Sequence, residues 1–319
     1  MSTTEDVLDP QLALCDPHHH LMDNEWIRYG LDDLMADLRS GHRVTHTMYM
    51  ECGNGYRTTG PEALRPVGET QMVMSVPAPP GVMAGMVGFA DLRLGDAVGE
   101  VLDAHLAAGG ARFRGVRFMA AADPDPQVLV LPYAPAPGVM RDPQFQRGVA
   151  QVQRRGLPLD LWVYSPQLED VIALARAFPD QVFVLDHLGS PLTSGGYDAR
   201  RDEVFAQWRG FMREVARCPN VMLKVGGIAM HAYGAPWQAG EPPPSSEAMA
   251  TFWRDDVNRC FDWFGPARCM FESNFPVDRL TVDYVRIWNA FKRLAQPLSA
   301  AERAGVCRDN AIRIYALAD

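Results

Sequence analysis

Leu12-Ala13-Leu14-Cys15-Asp16-Pro17-His18-His19-His20 decides how the chain is read, because a short apolar run ends there in a compact group of imidazoles. A run without polar alternation suits a parallel strand covered on both faces, which puts the histidines at its C-terminal end. Side chains alternate across a strand, so His18 and His20 share one face and His19 takes the other. Two imidazoles at i and i+2 can share one divalent ion, each giving a neutral nitrogen at about 2 Å. The plainer alternative is a chance polar cluster; a tag remnant does not fit a short run embedded in apolar sequence.

Similar runs recur at residues 44–52, 86–92, 113–119, 157–164, 182–188, 221–225 and 269–275. Helical patterns fall at 61–69, 97–108, 145–155, 167–178, 203–217, 246–264, 282–294 and 300–317, with stop signals at Gly109-Gly110, Gly156 and Pro179. Strands alternating with helices over this length predict an α/β fold, a (β/α)8 TIM barrel, as a single domain over residues 1–319. An open doubly wound sheet is the alternative, weakened by the lack of a GxGxxG or GxxxxGK[ST] phosphate loop. Residues 120–139 and 234–246 read as long loops after the fourth and seventh strands, on the face where barrel sites are built.

The 319 residues are 47% hydrophobic and 22% charged, with a formal net charge of −9. That balance excludes nucleic acid as the main partner, since phosphate neutralisation needs clustered Lys and Arg. A small anionic substrate stays open, because a few local arginines reverse the sign inside a pocket. Six cysteines show no CxxC pair, and the polar N-terminal stretch is no targeting signal, so the expectation is a reduced, cytoplasmic protein. No apolar run approaches the ~20 residues of a membrane helix. A homo-oligomer is left open. Sixteen methionines are expected to fill gaps in the core.

A third histidine closes the sixth run in Leu185-Asp186-His187-Leu188-Gly189-Ser190-Pro191, and the eighth ends in Glu272-Ser273-Asn274-Phe275-Pro276-Val277-Asp278. The paired histidines, Asp-His-Leu-Gly-x-Pro and Glu-Ser-Asn-Phe-Pro together resemble the amidohydrolase-related branch of the amidohydrolase superfamily. That branch includes 2-pyrone-4,6-dicarboxylate lactonase, sugar-acid lactonases and 4-sulfomuconolactone hydrolase. The resemblance runs from Leu14 to Leu317 and includes Asn310-Ala311-x-x-x-Tyr315. It implies a barrel of the metal-dependent-hydrolase kind, with water attacking a lactone carbonyl at the C-terminal ends of the strands.

One position departs from the pattern. Relatives read Ser-Asp-Trp-Pro at the eighth strand, where that Asp binds metal or takes the proton from water, and this chain has Asn274. A neutral amide cannot take that proton. Glu272, one pleat deeper, either supplies the carboxylate or is a structural acid paired with a cation such as Lys224. With metal, His18, His20 and His187 form the shell, zinc being the ion they suit best. Without metal, His187 and Arg117 polarise the carbonyl.

Arg117 matches a family arginine that holds a substrate carboxylate. Tyr164 is a candidate oxyanion donor, and Glu51, Lys224 and His231 are candidate substrate contacts. His42, His46 and His105 are expected to be solvated. The resulting expectation is a hydrolase that opens a small carboxylated lactone or ester. A decarboxylase of small aromatic acids and a non-catalytic metabolite-binding barrel are the rivals.

Overall fold

Eight parallel strands lie side by side in chain order. They are β1 (Ala13–His19), β2 (Arg43–Met50), β3 (Gly85–Phe89), β4 (Phe113–Met119), β5 (Leu159–Trp162), β6 (Phe183–Leu185), β7 (Val221–Val225) and β8 (Cys269–Phe271). The computed structural model describes residues 5–125, 127–128 and 135–318. The last strand returns to the first: Asn274 N donates to His18 O at 3.0 Å, and His20 N to Phe275 O at 2.8 Å, around a parallel bridge between His19 and Phe275. That closure sets aside the open doubly wound sheet.

One helix follows each strand: α1 (Leu31–Leu38), α2 (Val67–Ser75), α3 (Val98–Gly109), α4 (Pro143–Arg154), α5 (Leu168–Ala177), α6 (Arg201–Val215), α7 (Ser246–Phe264) and α8 (Tyr284–Leu294). Their ends carry the expected chemistry. Asp142 caps α4 by accepting from Gln144 N, Ser245 caps α7 through Ala248 N, and Asp283 caps α8 through Arg286 N. The sequence reading passed over α1, because it is only 8 residues long and Gly30 before it reads as a break. Its start is held instead by Asp33, which accepts from Gly30 N at 3.0 Å. The second helix begins later than expected, at Val67, behind a short 3-10 turn at Glu62–Leu64.

The segment read from sequence as a closing helical pattern at 300–317 seals the barrel floor. Ala311, Tyr315 and Leu317 pack against the interior residues Cys15, Met48, Met50, Val87, Val184 and Met270. The larger apolar cluster fills the space between strands and helices. Of the loop expected at 120–139, positions 126 and 129–134 lie outside the described residues. Among the described residues no helix is long and apolar enough to cross a membrane. None of the six cysteines is disulfide-bonded, and five are buried.

Three histidines expected in solvent are buried. His105 bonds Thr70 Oγ1 at 2.7 Å and Phe89 O at 2.9 Å, His42 lies 3.0 Å from Lys292 Nζ, and His46 reaches Ala318 O at 3.0 Å. Burial pushes the His105 imidazole down to about 4. Each sits where a strand edge or helix end offers a carbonyl that an imidazole N–H can satisfy.

Helix α4 is pressed against the turn Leu92–Ala97, and a Cβ at Gly148 would stand 2.2 Å from Leu92 O. Helix propensity alone favours Gly148→Ala by up to about 1 kcal/mol. The collision with backbone is expected to reverse that sign and destabilise the chain by about 1–3 kcal/mol, read from urea-unfolding midpoints. A midpoint at or above that of the parent would mean that α4 is not in such close contact.

Candidate active site

Along β6, β7 and β8 a step of two residues changes the interior from apolar to charged. Val184 is followed by Asp186, Met222 by Lys224 and Met270 by Glu272, all three polar groups being fully buried. Lys224 Nζ lies 3.1 Å from Asp186 Oδ1, 3.3 Å from Asp160 Oδ2 and 3.9 Å from Glu272 Oε2. From the floor, the Tyr315 hydroxyl donates to Asp160 Oδ1 at 2.9 Å. Arg117 on β4 donates through Nε to Glu51 Oε1 at 2.8 Å and through Nη2 to the Glu51 carbonyl at 2.5 Å.

Four buried carboxyls, Glu51, Asp160, Asp186 and Glu272, thus face two buried cations, Arg117 and Lys224. Burial pushes Asp160 up to about 7 and Glu51 up as well, although the neighbouring cations oppose both shifts. Burial alone would depress the Lys224 ammonium; Asp160, Asp186 and Glu272 outweigh that and raise it.

The imidazoles stand above this layer. His18 Nδ1 lies 2.7 Å from Glu272 Oε2, and His187 Nδ1 lies 2.6 Å from Glu272 Oε1. His20 Nδ1 lies 2.8 Å from the Met50 carbonyl. Lys224 Nζ is 3.3 Å from His18 Nδ1, and the shorter carboxylate contact assigns the proton to that nitrogen. All three rings therefore carry their proton on Nδ1, leaving the Nε2 lone pairs for other partners. Burial holds His18 and His20 far below the usual imidazole range, hence neutral. Burial pushes Glu272 up, but His187 and His18 outweigh it and keep the carboxyl ionised. His19 faces away, with Nε2 2.9 Å from Thr47 Oγ1.

A cavity of about 440 Å³ opens over this cluster, and His20, Arg117, His187 and Asn274 line it on the strand side. Glu51, Lys224 and Glu272 lie beneath it, fully buried. Tyr164 packs against Trp162 and Tyr233 and does not line the cavity. His231 turns back on its own loop, with Nδ1 3.0 Å from Ala235 O. Asn274 donates from Nδ2 to Asp278 Oδ2 at 2.7 Å, so its amide oxygen is the atom left for the cavity. Asp278 also accepts from Ala229 N at 2.9 Å.

Sequence reasoning quoted Asp186 and Asp278 within their motifs but gave neither a task, although an acid beside a strand-end histidine was signal enough for Asp186. Asp160 carried no such signal, because a single acid within an apolar run does not reveal what it meets inside a barrel.

Residues 15–317 match the family model described as amidohydrolase. The chain belongs to the amidohydrolase family. A Sinorhizobium fredii relative, named uncharacterized protein y4mH, is 32% identical, the alignment covering 95% of this chain and 98% of the relative. An L-fucono-1,5-lactonase of Burkholderia multivorans is 28% identical over 95% of each chain. A crystal structure of an amidohydrolase from Burkholderia multivorans with bound zinc superposes with a TM-score of 0.75 at 26% identity, covering 96% of this chain and 100% of that one.

The cluster of this amidohydrolase has the spacing and charge that such an ion asks for. His18 Nε2 and His20 Nε2 are 3.2 Å apart, close to the ~3.3 Å separating two nitrogens each about 2 Å from a tetrahedral ion. Ligand atoms of His18, Asp186 and His187 lie within 4.8 Å of one another. The excess of buried carboxyls over cations favours a further positive charge, and each Nδ1 is anchored from behind as ligating histidines require. Arg117 Nη1, 3.3 Å from His18 Nε2, is the internal group that an ion would displace from that lone pair. The residues fit a divalent ion.

Restoring the carboxylate at position 274 should not be neutral. In Asn274→Asp two carboxyls share a contact that is now 2.7 Å, and one must keep its proton. Asp278 is already pushed up to about 7 by burial. An acid whose folded pKa is raised makes the native state bind more protons than the unfolded one, so stability falls as pH rises from about 4 through 7. The N274D melting temperature is expected to drop from pH 6 to pH 8 more than that of the parent, and N274D/D278N to recover. Equal slopes would show that the two groups do not share a proton.

Proposed function

We propose that this amidohydrolase opens a small lactone by attack of water, with a divalent ion, zinc by preference, held by His18, His20 and His187. The observation that carries the reading is the set of three imidazoles whose Nδ1 atoms are tied to Glu272 and Met50 beneath a cavity. The lactonase name among the relatives supports the reaction class. When bound, such an ion supplies Lewis acidity to a carbonyl and lowers the pKa of water to about 7.

The chain's own groups do the positioning. Glu272 fixes two rings in one tautomer. Asn274 presents its amide oxygen, which can accept a hydrogen bond from the attacking water but cannot take its proton. Arg117 is neutralised by Glu51, and its Nη1 sits at the edge of the imidazole cluster. Because its fork is occupied by Glu51, the substrate carboxylate expected from sequence is not carried into this reading.

Proton release from a panel of five- and six-membered lactones tests the reaction, with and without a chelator. Turnover is expected, to be lost by more than 100-fold on chelation and restored by zinc. If no lactone releases protons in either condition the hydrolase reading fails, and CO2 release from aromatic acids becomes the assay. Turnover indifferent to chelation would remove the ion and keep the reaction.

Glu272→Gln cannot accept from both Nδ1 atoms. Zinc affinity, titrated against a chromophoric chelator, is expected to fall by about 10–100-fold. Unchanged affinity would mean that Glu272 does not orient ligands.

A further inference from the structure

Resting on the lactonase reading, the cavity wall carries information about the body of the substrate. Four polar lining groups, His20, Arg117, His187 and Asn274, are gathered in one place, because each touches His18. His20 Nε2 is 3.2 Å and Arg117 Nη1 3.3 Å from His18 Nε2, the His187 ring centroid is 4.6 Å from that of His18, and Asn274 N bonds His18 O at 3.0 Å. The remaining wall is Met22, Met119, Trp162, Met230, Tyr233 and Val277, with Cys52, Gly53 and Tyr56 beside them. Three of the sixteen methionines thus line a cavity, Met119 being also part of the buried core.

Several of the donors at this wall are already committed. Trp162 Nε1 donates to Ser190 Oγ at 3.2 Å, Asn274 Nδ2 to Asp278, and Arg117 to Glu51. Tyr233 lies flat against His187, with ring centroids 5.9 Å apart and planes 18° apart, and its edge meets Trp162 at 6.3 Å. Aromatic faces flanked by thioethers favour a flat apolar ring, since sulfur–aromatic contacts adapt to its outline. A polyhydroxylated ring would surrender its water shell here for few partners, and each hydroxyl left unpaired costs on the order of 10- to 100-fold.

We propose that the substrate is an uncharged lactone fused to an aryl ring, the ring resting on Trp162, Tyr233 and the three methionines and the ester facing the histidines. In the reaction the oxygen of water bonds to the acyl carbon and the ring C–O bond breaks. The phenolate released takes one proton, and the new carboxylic acid gives the other to solvent. The cavity volume of about 440 Å³ suits a ligand of this size.

The test compares 3,4-dihydrocoumarin with D-glucono-1,5-lactone and L-fucono-1,5-lactone on the zinc-loaded full chain, following kcat/KM by proton release corrected for spontaneous opening. A preference of at least 100-fold for dihydrocoumarin is expected. A sugar lactone turned over as well or better overturns the inference and leaves the lactonase reading standing. If none turns over, that reading fails, and calorimetry with inert lactams decides the pocket separately. Binding of 3,4-dihydro-2-quinolinone at least 10-fold tighter than D-gluconolactam supports an aryl ligand; equal or reversed affinities overturn it.

Discussion

The two oxygens of one carboxylate, Glu272, hold two imidazoles that come from distant parts of the chain. His18 belongs to the first strand and His187 follows the sixth, yet each meets Glu272 within 2.7 Å. A buried carboxylate without such partners would be protonated or expelled, and histidines without it would be free to choose either tautomer. The same residue lies 3.9 Å from Lys224, which joins the histidine layer to Asp160, Asp186 and Tyr315 below. Breaking one member of such a network leaves the others as uncompensated charges, so its cost exceeds the value of one contact.

Much of this was legible in the chain. Parallel strands covered on both faces leave apolar runs that need no alternation, so all eight could be found, and closure followed from their number and order. The two-residue period of a strand is enough to place His18 and His20 together and His19 apart. The helix α1 escaped because its cap is a reach-back from Asp33 and not a side chain at the cap position. Buried His42, His46 and His105 escaped for another reason, since an imidazole in a polar-looking context gives no sign that a distant carbonyl or hydroxyl awaits it.

Side-chain partnerships across the barrel were the least legible part. Sequence reasoning offered Lys224 as a partner of Glu272, and the structure gives it two closer ones, Asp160 and Asp186. Arg117 resembled a carboxylate binder, and the structure supplies the carboxylate from within as Glu51. Register between strands decides such pairs, and register is set by closure and shear of the whole barrel, not by any local run. Asn274 is intelligible only with Asp278 beside it: an amide there avoids a second charge against a buried acid.

The floor of the barrel gives the turn around Tyr315 a position of consequence. Tyr315 reaches Asp160 from below, and the segment around it seals the interior that β1 and β8 close from the sides. The charged groups of the layer above are spread from residue 51 to residue 272, so their mutual neutralisation needs strands from all round the barrel. Until the segment around Tyr315 has packed, that layer stays open to water from beneath. The ligand cluster therefore depends on packing contacts beneath it made by residues that do not line the cavity.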